Sequence, residues 1–529
     1  MGTFIERASM LGTVLVTALL AACSGADMAT EVQSESVTSA RAELTAQDRL
    51  AACSQDPRVT TGLLSPDICA GGDIFLRETF AGNGRTCGSC HPIANNTTVD
   101  VPFLTALHAS NPNDPLFVFE RDPNLAQLET GDLLGAAAVL ENVDGFEDPT
   151  HEFVSRSVNH MLSLRTSILR DPGDGTGSPP IERTGWGGDG APGDGSLRSF
   201  LTGAIKQHFT KTLARREGID FRLPTAQELD LTNAFQLSLG RQNELDLTRV
   251  RINDTDAEDG RQAFLDPQRG RCNVCHSNAG ANFIDTRLNR NFNTGLTRVG
   301  GNLDQGLTQG TQDGHVFTDG GFGSTTPFDA IGIGFDNAFG DGSFSVPPLI
   351  EAADTGPFFH NNARGPDIEN AVAFYASAPF GFSPAAQALE ARFGSPLNLG
   401  AQDSLHIARF LRVLNSAFNA DIAIQRLSAA NTLVARFGNT RADIQTSLMD
   451  LAREELNDAL AVLSAPGGLY TSAQTSITQA NAQIALGIAA STAANRQSRI
   501  NSALTFVRSA RSQFGSNITF LMGQGNLMF

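Results

Sequence analysis

Cys87-Gly88-Ser89-Cys90-His91 and Cys272-Asn273-Val274-Cys275-His276 decide how this chain is read. In each pentad two thiols flank two residues and an imidazole follows at once. This is the attachment pattern of a c-type haem: the thiols add across the porphyrin vinyl groups and the next residue, His, ligates the iron. A Cys-x-x-Cys pair also serves thioredoxin-like redox sites, and two pairs together make Cys₄ zinc sites. Neither alternative asks for His directly after the second Cys. His occupies 9 of 529 positions, so a chance His at one such place has odds of roughly 2 % and at both roughly 0.03 %. The expected cofactors are two covalently attached haem c groups, and a chain holding two irons is built to move electrons.

The N-terminus agrees with that chemistry. Arg7, an apolar run from Met10 to Leu20 and then Leu20-Ala21-Ala22-Cys23 read as a bacterial lipoprotein signal, with Cys23 the acylated first residue of the mature chain. The alternative is an ordinary cleaved signal with an incidental Cys. Ser24 in place of Asp favours, by resemblance to such lipoproteins, the outer membrane. The expected address is the periplasm or cell surface, where covalent haem attachment takes place, with lipid as the only membrane contact. Seven cysteines less Cys23 and four haem thiols leave Cys53 and Cys69. In an oxidising compartment these are expected to form a disulfide, the alternative being two free thiols.

Net charge is −18 and no Lys/Arg cluster interrupts it, so nucleic acid is not an expected partner. An acidic surface suits a basic electron donor and equally suits plain solubility. Trp occurs once and Tyr twice, which makes Trp186, Tyr375 and Tyr470 worth locating individually.

The pentads begin 185 residues apart, and similar lead-ins precede them: Gly71-Gly72-Asp73-Ile74-Phe75 and Gly260-Arg261-Gln262-Ala263-Phe264. This internal repeat implies a mainly α fold with two cytochrome-c-like haem domains in tandem. Residues 24–50 are polar and read as a tether after the 1–23 signal. The first haem domain is placed at 51–240 and the second at 241–426. Thr225 to Leu239 has helical apolar spacing and closes the first copy. Asp171 to Gly195 is too rich in Gly, Pro and Asp for regular structure. Gly300 to Gly342 reads as a second loop region wrapping the second haem. Residues 427–529 are Ala-rich with 3.6-type spacing and read as a C-terminal helical hairpin or bundle.

Further segments resemble the bacterial dihaem cytochrome c peroxidase and MauG superfamily. Asp341 to Leu349, Gly356-Pro357-Phe358-Phe359-His360-Asn361-Asn362 and Ile368 to Tyr375 are similar to its second domain. Arg156 to Leu164, Trp186 with its Gly-rich surround and Leu197 to Ile205 look like its inter-haem stretch. The likeness covers roughly residues 70 to 420. It implies reduction of hydrogen peroxide or another small oxidant, with electrons from a small cytochrome- or cupredoxin-type donor. It leaves room for calcium between the domains. MauG-like or oxygenase-like oxidation of an organic or protein substrate is the near alternative, and a pure electron-transfer lipoprotein the distant one.

Residue by residue, the resemblance makes His91 and His276 the proximal iron ligands beside Cys87, Cys90, Cys272 and Cys275. Tyr375 falls where the second haem's other ligand is expected, or else is simply a helix residue. His108, 17 residues after His91, is the candidate distal ligand of the first haem, with His160 in reserve, or else a packing residue. His360 is placed near the second haem as a hydrogen-bonding group. Trp186 stands in the bridging segment as an electron relay, or else has an ordinary structural use. The family's acid–base Glu is not matched, since Thr210 stands near its place. His208 is the candidate replacement, its imidazole suited to proton transfer near neutral pH, or else a partner for a haem propionate.

Overall fold

The computed structural model describes residues 44–142, 151, 153–176, 181–190, 193–296, 311–312, 315–316, 318–323, 327–328, 338–464 and 467–529. The signal, Cys23 and residues 24–43 of the expected tether lie outside them. Helices dominate and strands are few and short.

Each pentad follows a helix that starts on a clear cap. Ser65 accepts from the Ile68 N–H and Pro66 opens the helix Pro66–Arg77. Asp254 likewise caps Thr255–Leu265 through the Ala257 N–H. Both helices then cross a later helix backbone-to-backbone at a glycine. A Cβ added at Gly71 would overlap the Leu231 carbonyl of helix Ala226–Gln236, and one at Gly260 would overlap the His406 carbonyl of helix Ala401–Phe437. Four residues on, each crossing is sealed by an aromatic pair. Phe75 meets Phe235 at 5.3 Å and Phe264 meets Phe410 at 5.7 Å. The same crossing therefore occurs twice in one chain. The helix expected within Thr225 to Leu239 is present, with a Thr225/Glu228 capping box.

Three expectations about boundaries change. The last residues assigned to the tether are helical: Ala46–Cys53 forms on a Thr45/Asp48 capping box and is tied to Pro66–Arg77 by the Cys53–Cys69 disulfide. The boundary drawn at 426/427 falls inside a continuous 37-residue helix, Ala401–Phe437. That helix is buried along most of its length, so its apolar pattern gives no break to read. The Gly300–Gly342 region is also not all loop. Its described part includes Thr318–Gly321 and the start of Ala338–Ser345, which pair in parallel, while Asn291–Phe292 and Pro327–Phe328 add to Ala338–Ser345 antiparallel. Glycine is a poor strand former by itself, and here pairing overrides that preference. Gly321, with φ of 73°, sits against the Ser343 carbonyl where a side chain would not fit.

The expected C-terminal helices are Ala442–Leu463, Thr471–Ile488 and Ala493–Phe514. Leu448, Ile477 and Val507 share a core with Phe264 and Phe410. The chain then returns across the molecule. Gly515–Ser516 pairs with Arg251–Ile252, Met528 packs with Phe75 and Phe235, and Arg58 donates to the Leu527 carbonyl at 2.9 Å. Residues 44–529 consequently form one compact unit.

Gly71→Ala should cost about 1–3 kcal/mol by forcing the crossing apart, read as a lowered denaturation midpoint. Gly135→Ala, where a Cβ meets nothing within 4 Å, should leave stability unchanged or slightly raised. Equal behaviour of the two would show that the crossing is not close-packed.

Candidate haem-binding site

Cys87–Cys90 forms one helical turn and Cys272–Val274 one 3₁₀ turn. In both, the histidine N–H donates to the carbonyl of the first cysteine, at 3.0 Å for His91 and 2.9 Å for His276. A single cavity of about 370 Å³ is lined by both pentads: Cys87, Cys90 and His91 at one place, Cys272, Cys275 and His276 at the other. The four thiols are unbridged. The remaining wall is mainly apolar, with Phe75 and Leu201 among its residues from the first half and Phe264, Leu349, Ile407 and Leu411 among those from the second.

The imidazoles are oriented alike. His91 Nδ1 lies 2.8 Å from the Thr97 carbonyl and His276 Nδ1 lies 3.1 Å from the Pro347 carbonyl. A carbonyl oxygen only accepts, so each Nδ1 carries the hydrogen and each Nε2 keeps a bare lone pair. Burial pushes both rings down to about 4, which keeps them neutral. A neutral imidazole with Nδ1–H on a carbonyl is the usual arrangement of a metal-ligating His.

The thiols argue against the two other uses of the motif. Burial pushes Cys87, Cys272 and Cys275 up to about 12 and Cys90 to about 11, whereas a redox dithiol needs a lowered value. Among the described residues no group of three or more His, Cys, Asp or Glu side chains could hold a metal ion. Among these residues the two pairs thus form no shared zinc site. Paired thiols, an imidazole with a bare Nε2 and an apolar wall fit a covalently held porphyrin at each pentad.

Trp186 and His360 both line this cavity. The indole Nε1 donates to the Ser157 carbonyl at 2.9 Å. His360 is buried, stacked on Phe344 at 3.9 Å and edge-on to Trp186 at 6.5 Å. Tyr375 ends the helix Ile368–Phe374 and reaches the cavity between Phe374 and Phe380, close to the Cys272/Cys275 pair. Burial raises its phenol well above the ordinary value.

His108 is not brought to the cavity. It lies near the end of helix Val101–Ser110, 2.9 Å from Glu120 and edge-on to Phe117. Its contacts are thus with Glu120 and Phe117, away from the residues that line the cavity. His160, its reserve, does line the cavity, with Nδ1 unpartnered.

His208 ends helix Leu197–His208 at the cavity wall. Behind it stands a carboxylate that sequence reading missed: Glu129 Oε1 lies 3.3 Å from His208 Nδ1. Arg85 holds Glu129 at 2.8 Å with both side chains 1 % exposed. Burial pushes the carboxyl up, and the Arg85 and His208 charges and the Leu140 N–H more than offset that, so Glu129 sits below its ordinary value. Thr210, near the place where the family's Glu was expected, is buried and donates to the Thr212 carbonyl. Nothing in the local sequence around Glu129 marks it, because its partners come from two distant segments.

No family model, curated protein or solved structure matches this chain. Among the described residues no helix is long and apolar enough to cross a membrane.

Glu129→Gln would leave the Arg85 guanidinium buried without its counter-charge. A loss of about 3–5 kcal/mol in denaturant unfolding is expected. Parental stability would mean that the pair is solvated and dispensable.

Proposed function

We propose that the chain is a dihaem c-type cytochrome oxidoreductase of the cytochrome c peroxidase and MauG superfamily, in which two tandem haem domains reduce hydrogen peroxide. Cys87, Cys90 and His91 would hold one haem, and Cys272, Cys275 and His276 the other. The haems supply redox-active iron. The observation that carries this reading is the shared cavity, with each histidine's Nδ1 tied to a carbonyl and its Nε2 free.

The protein's own groups have separable tasks. His208 is the proton-transfer group, its ring at the cavity wall and its Nδ1 3.3 Å from the buried Glu129 carboxylate, which favours the ring's protonated form. Gln207 Nε2, 3.3 Å away, donates to the His208 Nε2 lone pair, a contact that opens when that nitrogen takes up a proton. Arg85 keeps Glu129 ionised beside the cavity. Trp186, in the wall of the cavity common to both pentads, is the relay between the two ends. Electrons come from a small cytochrome- or cupredoxin-type donor. The mature protein faces the periplasm or cell surface on an outer-membrane lipid anchor at Cys23.

A second reading, MauG-like oxidation of an organic or protein substrate, is favoured by Tyr375 at the cavity beside the second thiol pair.

Protein matured in a host with cytochrome assembly should carry two porphyrin increments by mass spectrometry. Their absence removes the proposal. His208→Ala should then lower peroxide turnover by about 10²–10⁴-fold, and parental turnover would strip His208 of its role. Tyr375→Phe should change the visible and EPR spectrum of the second haem. An unchanged spectrum rules out ligation, and two permanently low-spin haems would instead indicate an electron carrier.

A further inference from the structure

Three carboxylates meet where the first pentad, the second half of the chain and the C-terminal helices join. Glu455 and Asp458 come from helix Ala442–Leu463 and face Asp354, at the end of the short turn Ala352–Asp354. The cation paired with them is Arg426 of the long helix, 2.7 Å from Glu455. Glu454 adds a further negative charge beside Asp458. With Asp354, Glu455 and Asp458 ionised, the group is two charges short of neutrality.

Its hydrogen bonding is short of donors as well. Asn419 donates to Asp354 Oδ2 at 2.6 Å, Asn96 to Asp458 Oδ2 at 3.2 Å, and Asn415 to the Asn419 side chain at 3.1 Å. Glu455 Oε2 and Asn415 Oδ1 are buried without a donor. Retained protons would meet both deficits, since a carboxyl group carries less charge and offers an O–H. Burial, reinforced by Glu455 and opposed by the Asn419 and Asn415 amides, pushes Asp354 up to about 7, and burial with Asp354 and Glu455 nearby, opposed by Asn96, pushes Asp458 well up too.

The cluster is joined to the first pentad through a strained turn. Asn96 and Thr97 both adopt left-handed backbone, with φ of 53° and 57°. That is tolerable for Asn and an outlier for β-branched Thr, so the surroundings must hold it. The Asn96 amide on Asp458 is one such restraint. The Thr97 carbonyl, the next group along, is the acceptor that orients His91.

We propose that Asp354, Glu455 and Asp458 form a proton-binding regulator of the first haem, an inference that rests on the dihaem reading above. When one electron from the donor reduces the first iron from the ferric to the ferrous state, a proton from solvent adds to a carboxylate oxygen of the cluster. Reoxidation returns it. The midpoint potential of the first haem consequently falls as pH rises through neutrality, and the C-terminal bundle sets its sensitivity.

The test uses the full haem-loaded chain in spectroelectrochemical titrations across neutral pH, comparing the parent with Asp458→Asn and, separately, Asp354→Asn. The parent's first-haem potential should fall with pH, the variants' slope should flatten, and the second haem should keep its slope in all three. A further readout needs no haem signal. A carboxyl raised in the fold adds stability below its unfolded value of 3.8, and this is lost as pH climbs to about 7. The parent should therefore lose unfolding stability across that window, and Asp458→Asn should lose less. Haem present with parental slopes in both variants overturns the regulator and leaves the dihaem reading intact. Absence of the two porphyrin increments overturns the dihaem reading itself.

Discussion

Two backbone-on-backbone helix crossings hold this molecule in shape. At Gly71 and again at Gly260 the helix ahead of a pentad approaches a later helix so closely that no side chain fits between them. Close approach brings the flanking aromatics, Phe75 with Phe235 and Phe264 with Phe410, into contact around each crossing. Phe75 and Phe264 are also walls of the cavity. The geometry that locks the helices thus shapes the space into which the thiols and imidazoles open.

The second crossing explains the place of the C-terminal helices. The helix that meets Gly260 runs on for 37 residues. Its first turns line the cavity through Ile407 and Leu411, and its later turns are the buried spine on which the following helices pack. The final residues return to the first half, where Met528 fills the Phe75 and Phe235 cluster. A region without a chemical signature is therefore a structural support for both ends of the cavity.

Charge is buried around the cavity in sets that each hold an arginine directly against carboxylates. Arg85 with Glu129 stands behind His208. Arg156 clamps Asp319 at 2.6 and 2.7 Å near His360 and also reaches Glu141 at 2.8 Å. Such sets cost desolvation and return it only when every partner is in place. They favour one arrangement of the wall over its alternatives. In the Asp354, Glu455 and Asp458 group the arginine, Arg426, is held against Glu455.

Local chemistry by itself determined the two pentads, the repeat announced by their Gly-containing lead-ins, the Thr225 helix with its cap, the Cys53–Cys69 pairing by elimination, and the helical C-terminus. Each is written in neighbouring residues or in a count. Tertiary structure alone decided that both pentads open into one cavity, that His108 faces Glu120 and not that cavity, and that Glu129 backs His208. It also decided that the Gly-rich stretch near Phe344 pairs as strands and that one helix runs through the supposed boundary at 426/427. These depend on contacts between residues far apart in the chain, whose encounter is set by packing and by the pairing of buried charges, and no periodicity or motif along the sequence encodes them.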